Sequence, residues 1–227
     1  MKTRDEPFFF WMTLLLIAIV ISGFSILGFS RPGGPLAVPL FLHFHGAVFL
    51  GWFVLLAYQA RLPGAGHIAL HKRLGQLSLG LALAIIVLGY LVVSYAVAKP
   101  DMTIAGRPAV EGAVFPIFDI LNFTVTYALG FANRRNAQAH KRFMLLAALM
   151  MIDPAMARLV FGVGLPGMLI LVFELALYAA ILVYDLIKLR RPHWASVVGL
   201  ALFLGAFVFK MNVGQFAWWP DMIEAVF

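Results

Sequence analysis

The residues of this sequence most able to do chemistry are ionisable side chains inside long apolar segments. Carboxyl groups occur at Asp119, Asp153 and Glu174, and the same kind of segment contains His45 and Lys210. A charged group in a hydrocarbon environment is costly unless it is paired or solvated, so each of these residues is a candidate functional residue. A site built from them could bind a cation, hold a cofactor or carry a proton.

The predicted depths of these residues place them in one layer. Counted from the outer helix ends at about 1.5 Å per residue, all of them lie roughly 9 to 14 Å below the outer surface. Arg158 follows one turn after Asp153, close enough to pair with it. Further polar side chains extend the predicted lining of the layer, at Asn122, Asn212 and Gln215. Several separate helices contribute to the layer, so we expect the side chains to converge on one site.

A metal ion is the first candidate occupant of this layer. The predicted ligands are His45, Asp119, Asp153 and Glu174, and such imidazole and carboxylate groups suit zinc or iron. The chain contains no cysteine, which excludes thiolate sites. Pro154 would loosen the helix and free carbonyl groups for a ligand, although a proline kink alone is common in membrane helices. A bound metal would activate water or oxygen, which predicts a membrane oxidoreductase or a metal-dependent enzyme subunit.

Two other functions fit the same residues. In a proton-coupled small-molecule transporter, Asp119, Glu174 and Lys210 would exchange partners as the protein changes conformation. In a structural or assembly protein, the layer would be a set of ion pairs that locks the helices together. Those pairs would join Asp153 to Arg158, and either Asp119 or Glu174 to Lys210. The last hypothesis adds other membrane protein subunits as partners.

Histidines near the opposite helix ends suggest a second site. The segment 70–75 (LHKRLG) recurs as 139–144 (AHKRFM), each time at the start of an apolar helix. The recurrence predicts that helices two and three are repeated by helices four and five. His71 and His140, which occupy the same position in the two segments, are possible axial ligands of a haem. Alternatively, the basic residues beside them are ordinary anchors at the membrane interface.

Composition identifies the class of protein that carries these residues. The chain has 227 residues, of which 63% are hydrophobic and 12% are charged, and its mean hydropathy is +0.96. Soluble domains average about 45–50% apolar and about 25% charged residues. Apolar runs of about 20 residues therefore predict an all-α polytopic membrane protein, with seven transmembrane helices in a single domain, 1–227. The predicted helices are 8–29, 38–60, 74–98, 113–132, 141–162, 167–188 and 195–217.

The distribution of basic residues predicts how the helices are oriented. One side of the membrane would hold Lys2, Arg4, Arg61, Lys72, Arg73, Arg134, Arg135, Lys141, Arg142, Lys188, Arg190 and Arg191. The other side would hold Arg31, Lys99, Arg107 and Arg158. Basic residues concentrate on the cytoplasmic side, so we expect a cytoplasmic N-terminus and an external C-terminus in the plasma (inner) membrane. The net charge of +7 is then explained by the orientation of the helices and by contact with the anionic lipid bilayer. We therefore infer no nucleic-acid partner.

Part of the sequence resembles a group of poorly characterised bacterial polytopic membrane proteins. In that group a histidine early in one helix is followed by a tryptophan and a glutamine, as at His45, Trp52 and Gln59. The sequence His-Arg-Arg-Leu-Gly then opens the next helix, as His-Lys-Arg-Leu-Gly does at 71–75, and His140 fits a further copy. The resemblance covers about half of the chain. It implies a membrane protein but no established reaction.

Two more distant resemblances concern cofactors. Histidines at the ends of paired helices are similar to those of membrane b-type cytochromes and of proteins that assist haem-copper oxidase assembly, which implies haem on His71 and His140. Seven helices with Lys210 in the last also resemble retinal proteins. However, Ala206 stands four residues before that lysine, and 74–98 contains no acidic counter-ion. The sequence therefore argues against retinal.

Overall fold

A computed structural model describes residues 7–30, 34 and 38–227 of the chain. Three basic residues used to predict the orientation, Lys2, Arg4 and Arg31, lie outside the described residues. Two-residue strands, β1 (Thr103–Ile104) and β2 (Arg107–Pro108), pair antiparallel, and a 3₁₀ turn covers Val213–Gln215. The helices are α1 Pro7–Ser30, α2 Leu40–Arg61, α3 Ile68–Val97, α4 Ala109–Gly112, α5 Val114–Ala132, α6 Ala137–Leu149, α7 Asp153–Gly162, α8 Met168–Leu189, α9 Trp194–Asn212 and α10 Trp218–Val226.

The fold class predicted from the sequence is confirmed. Within the described part of the chain, six helical segments are long and apolar enough to cross a membrane, and α6 with α7 adds a seventh if the bent pair counts as one span. The protein is therefore an all-α multi-pass membrane protein. Helix α3 begins at Ile68 and not at 74, so it includes residues 68–73 ahead of the predicted apolar run. The orientation, the internal repeat and the plasma-membrane location stay predictions.

The predicted helix 141–162 is broken into two. Helices α6 and α7 meet at an angle of 46°. Pro154, the second residue of α7, has no N–H to donate and its ring crowds the preceding turn. Met151 and Ile152 therefore bond to carbonyl oxygens three residues back, at 3.2 Å each, in a tighter turn than an α-helix. The break makes Asp153 the first residue of a helix, where a continuous span would have kept it in the interior.

Helix α6 lies at the centre of the bundle. Its side chains are buried from Leu145 through Leu149, and it packs against α1, α2, α5 and α9. The neighbouring helices approach it closely where they carry glycine. For example, a Cβ atom at Gly199 would stand 3.0 Å or less from Leu146 side-chain atoms. This central helix fixes the positions of the helices that carry the ionisable residues.

The backbones of α1 and α7 approach each other closely at Gly23, and a single substitution there can test this contact. A Cβ atom at Gly23 would meet the main-chain oxygen of Ala155, which cannot move aside as a flexible side chain could. We expect Gly23→Ala to lower the free energy of unfolding by about 1–3 kcal/mol, because it overpacks this contact. Thermal unfolding in detergent, followed by tryptophan fluorescence, measures the effect.

Gly80→Ala is the matched control. Gly80 lies in α3, and a Cβ atom there meets nothing within 4 Å. Because alanine favours helix over glycine by about 1 kcal/mol, this variant should be as stable as the original protein or more so. Equal stability of the Gly23 and Gly80 variants would contradict the close approach of α1 and α7.

The two ends of the bundle differ in structure. At one end, which we call the hairpin end, β1 and β2 join through Ala105 and Gly106, whose positive φ values of 52° and 76° suit a tight hairpin turn. Helix α10 packs there, since Trp219 donates from Nε1 to the carbonyl of Val110 at 3.1 Å. The opposite end, called the basic end, contains the α2–α3, α5–α6 and α8–α9 connections. Neither the hairpin nor α10 was predicted from the sequence.

Candidate functional site

An ammonium group bridges two aspartates in the interior near the hairpin end. Lys210 Nζ donates to Oδ1 of Asp119 and, at 3.0 Å, to Oδ2 of Asp153. The three residues come from α9, α5 and α7, and Lys210 and Asp119 are buried. The convergence expected from the sequence is thus found for these three side chains. Asp153 pairs with Lys210, however, and not with Arg158, the partner that the structural hypothesis gave it.

The helix termini favour these charges. Asp153 is the first residue of α7, where the partial positive charge of the helix N-terminus stabilises a carboxylate. Lys210 lies in the last turn of α9, where the partial negative charge stabilises a cation. The break between α6 and α7 is what creates the first of these positions. Local backbone structure and side-chain pairing therefore stabilise the same arrangement.

A cavity of about 380 Å³ lies beside the ion pair. It lies mainly between α5, α7, α8 and α9, and Leu149 and Met150 at the end of α6 also line it. Its volume falls within the range of small-molecule sites. The polar lining consists of Asp119, Asn122, Asp153, Glu174 and Lys210, and the larger apolar side chains include Phe115, Met168, Ile170, Leu171, Phe203 and Phe207.

Two carboxylate oxygens in this cavity have no hydrogen-bond partner among the described residues. They are Oε1 of Glu174 and Oδ2 of Asp119. The two residues are only 4% and 7% exposed, so bulk water does not solvate them fully. Tyr178, one turn along from Glu174, donates instead to the sulfur of Met150 at 3.2 Å. A buried acceptor without a donor lowers the free energy of unfolding by about 1–3 kcal/mol. The two unpaired oxygens therefore mark this cavity as a candidate binding site.

Arg158 and His45 lie apart from the ion pair of Lys210. Arg158 donates from Nη1 to the carbonyl of Pro154 at 2.6 Å, and its guanidinium carbon lies 4.6 Å from the ring centroid of Phe24. The His45 ring packs on Phe49 with the centroids 4.2 Å apart, and it is not part of the cavity lining. Arg158 acts electrostatically on this imidazole. A cation beside a histidine opposes the approach of a second cation.

The residues predicted to bind a metal do not fit a zinc or iron ion. Within residues 7–30, 34 and 38–227, no group of three or more His, Asp and Glu side chains could hold a metal ion. His45 lies outside the cavity, and the Lys210 ammonium stands between Asp119 and Asp153, where a metal cation would have to bind. A zinc or iron ion would therefore have to displace the ammonium from both aspartates, and His45 is not placed to complete its ligand set. The cavity beside Lys210 is therefore not suited to a zinc or iron ion.

The smaller polar residues of the predicted lining divide into two sets. Asn122 lines the cavity, and its Nδ2 lies 3.4 Å from the carbonyl of Leu202. Asn212 donates to the carbonyl of Val208 at 2.7 Å and accepts from Gln215 at 3.0 Å. Neither Asn212 nor Gln215 is part of the cavity lining, because α9 ends there and the chain turns towards the hairpin end.

The two candidate haem ligands lie side by side at the basic end. The ring centroids of His71 and His140 are 6.1 Å apart, and the rings are perpendicular. Nδ1 of His140 lies 2.8 Å from the carbonyl of Gly130, which leaves Nε2 available to a ligand, whereas the buried Nδ1 of His71 has no hydrogen-bond partner among the described residues. Gln59 donates to the His71 carbonyl at 3.2 Å. The two imidazoles therefore lie close together, and a haem between them stays a prediction.

A second buried ion pair was missed by the sequence analysis. Arg142, expected as an interfacial anchor, is 0% exposed, and its Nε donates to Oδ1 of Asp185 at 2.8 Å. Oδ2 of Asp185 accepts from the Ser196 hydroxyl at 2.6 Å and from the backbone N–H of His193 at 3.0 Å. The pair joins α6, α8 and the start of α9. The signal was an unassigned Asp185 inside the apolar segment 167–188, which needs a partner.

The chain matches no protein-family model, no curated protein and no solved structure. The resemblance based on His45, Trp52 and Gln59 therefore stays a prediction. Function has to be argued from the chemistry of the site itself.

Proposed function

We propose that this protein is a proton-coupled membrane transporter for small molecules, and that its solute site is the cavity beside Lys210. One observation carries the proposal: the break between α6 and α7 lies directly on this cavity, and Asp153 at the break pairs with Lys210. In secondary transporters, discontinuous helices commonly flank the solute and ion sites, since their free ends interact with charged groups.

The broken span also supplies a joint that a transport cycle requires. Helix α7 packs mainly on α1, whereas α6 is buried among α1, α2, α5 and α9. The two halves of the span share α1 but otherwise have different neighbours, and the turn at Met150–Ile152 can absorb a change of angle between them. Such a change would move Asp153 relative to Asp119 and alter how Lys210 is shared.

We assign to Glu174 the role of carrying the coupled proton. The charged groups that act on it are Asp119 from α5, Asp153 from α7 and Lys210 from α9, while Tyr178 is its titratable neighbour on α8. The ammonium is already shared by the two aspartates, so Glu174 is the carboxyl group without a cationic partner among the described residues. Taking up a proton there when the site is empty, and releasing it when solute binds, would couple the two movements.

A purely structural role explains less of the site. Ion pairs that lock the bundle account for Asp119, Asp153 and Lys210. They do not account for Glu174, a buried carboxyl group that has no hydrogen-bond donor on Oε1 among the described residues and faces a cavity. A lock would also be stronger with an apolar residue there, because a buried unsatisfied acceptor destabilises the fold.

The transport test uses the full chain in proteoliposomes that contain a pH-sensitive dye. A gradient of benzamidinium, benzamide or benzoate is applied in separate experiments, and the internal pH is followed. We expect at least one solute to drive proton movement beyond that of protein-free liposomes. In Glu174→Gln this proton movement should fall at least tenfold, to the level of protein-free liposomes. The reason is that the glutamine amide neither takes up nor releases a proton near neutral pH.

Glu224→Gln is the matched control for this experiment. Glu224 is exposed on α10 and is not part of the cavity lining. This variant should move protons at the original rate. No protein-dependent movement with all three solutes, or full movement in Glu174→Gln, would overturn the proposal.

A further inference from the structure

We propose that the cavity beside Lys210 recognises an organic cation with N–H donors, such as an amidinium, a guanidinium or a primary ammonium, attached to an apolar group. This inference rests on the proposed solute site, but binding alone tests it. It requires no movement of the solute across the membrane.

The balance of charge in the lining favours a cation. Among the described residues that line the cavity, Asp119, Asp153 and Glu174 are acidic, and Lys210 is the basic one. With Glu174 ionised, as we propose for the solute-bound state, Lys210 neutralises one of three carboxylates and is already bound by two. An entering anion would have to take Lys210 from both aspartates and would leave their charges unpaired. A cation would instead compensate the remaining negative charge, so Coulomb interactions favour it in this low-dielectric site.

The hydrogen-bonding capacity of the lining also selects a donor. Oε1 of Glu174 and Oδ2 of Asp119 are acceptors, both belong to residues more than nine-tenths buried, and neither has a partner among the described residues. The potential donors nearby bond elsewhere, since Asn122 faces the Leu202 carbonyl and Tyr178 donates to Met150. Charge-assisted N–H bonds to carboxylates are the strong kind, and a planar amidinium can make two in parallel.

The rest of the wall suits an apolar or aromatic body. Phe115, Phe203 and Phe207 present rings to the cavity, and aliphatic side chains from α8 complete it. Lys210 Nζ already lies 5.6 Å from the centroid of Phe115, which shows that a cation is accommodated against these rings. Cation–π contacts contribute about 0.5–2 kcal/mol, depending on how far they are desolvated. A bare inorganic cation would leave this apolar wall unused.

The test compares three ligands of nearly the same shape and different charge. Benzamidinium, benzamide and benzoate are titrated separately into the full chain in detergent at low salt, and binding is measured by calorimetry and by the shift in melting temperature. We expect benzamidinium to bind at least tenfold more tightly than either isostere, and therefore to raise the melting temperature most at equal concentration. Sodium chloride and potassium chloride are the inorganic comparison and should give no comparable shift.

Variants then locate the binding site. Glu174→Gln keeps the size of the side chain but removes its charge, so the dissociation constant of benzamidinium should rise at least tenfold. Phe207→Leu is the second variant, should the first fail to fold, and it should weaken binding by loss of an aromatic ring. Glu224→Gln, on exposed α10, should bind like the original protein.

Each opposite result overturns the inference. Tighter binding of benzoate would show that Lys210 dominates recognition. Equal binding of benzamide would show that charge is irrelevant, and an equal shift with sodium or potassium would show a simple ion site. Benzamidinium binding without proton movement would uphold this inference and overturn the transport proposal. Proton movement driven by benzoate or benzamide, without benzamidinium binding, would do the reverse.

Discussion

Replacing Asp185 with asparagine should lower the free energy of unfolding by about 3–5 kcal/mol, because the change leaves the guanidinium of Arg142 buried without its counter-charge. Arg142 is fully buried, and its remaining partners are the backbone and side-chain oxygens of Gln138, at 2.8 and 2.7 Å. Amide oxygens solvate the cation partly but do not neutralise it. Unfolding by sodium dodecyl sulfate, followed by tryptophan fluorescence, measures the change.

Two further variants separate the ion pair from general effects of charge. Lys188→Met removes an exposed charge from the same helix, so the stability should change by no more than about 0.5 kcal/mol. The double variant Arg142→Met with Asp185→Asn should recover part of the loss, since no uncompensated charge is then buried. A single Asp185→Asn variant as stable as Lys188→Met would contradict the buried pair.

Replacing Lys210 with methionine should have a similarly large effect, about 3–5 kcal/mol, and for a different reason. Methionine fills the same space, but Asp119 and Asp153 then face each other without the ammonium that both now bind. Two neighbouring carboxylates repel each other, and one of them is buried. The same unfolding titration, performed at neutral pH, reports the loss.

Removal of the repulsion provides the critical comparison. Lys210→Met combined with Asp119→Asn should be more stable than Lys210→Met alone, because one of the opposed charges is gone. Lys99→Met, which removes an exposed lysine just after α3, should cost at most about 1 kcal/mol. If Asp119→Asn made Lys210→Met less stable, Lys210 would not be the shared counter-charge of the two aspartates.

The membrane fold was predictable because the hydrocarbon core of a bilayer offers the backbone no hydrogen-bond partners. Every backbone polar group has to be satisfied within the segment, so long apolar runs become helices whatever their neighbours are. The bend at Asp153 was only partly predictable. Pro154 marks the position of a disruption, but its size depends on how α7 packs against α1, where Gly23 admits a close approach. The hairpin and α10 are too short to give a hydropathy signal.

The candidate site was predictable as a set of residues but not as a set of contacts. Depth in the membrane follows from position in the sequence, so the layer of Asp119, Glu174 and Lys210 could be foreseen. The rotation of each helix about its own axis is fixed by packing over the whole bundle. It therefore cannot be predicted from the local sequence of that helix. This is why the pairing of Asp153 with Lys210 was missed. The same reason applies to Arg142, whose place in the sequence is interfacial although its side chain points inward.

The buried pair of Arg142 and Asp185 also has a consequence for how the protein is made. The two residues are 43 positions apart in the chain, so Arg142 in α6 is synthesised before its counter-charge, Asp185 in α8. Helix α6 is short, and an unpaired guanidinium is costly in the bilayer, so this half-span is a poor substrate for membrane insertion on its own. We therefore expect α6 to be stable in the membrane only once α8 lies beside it.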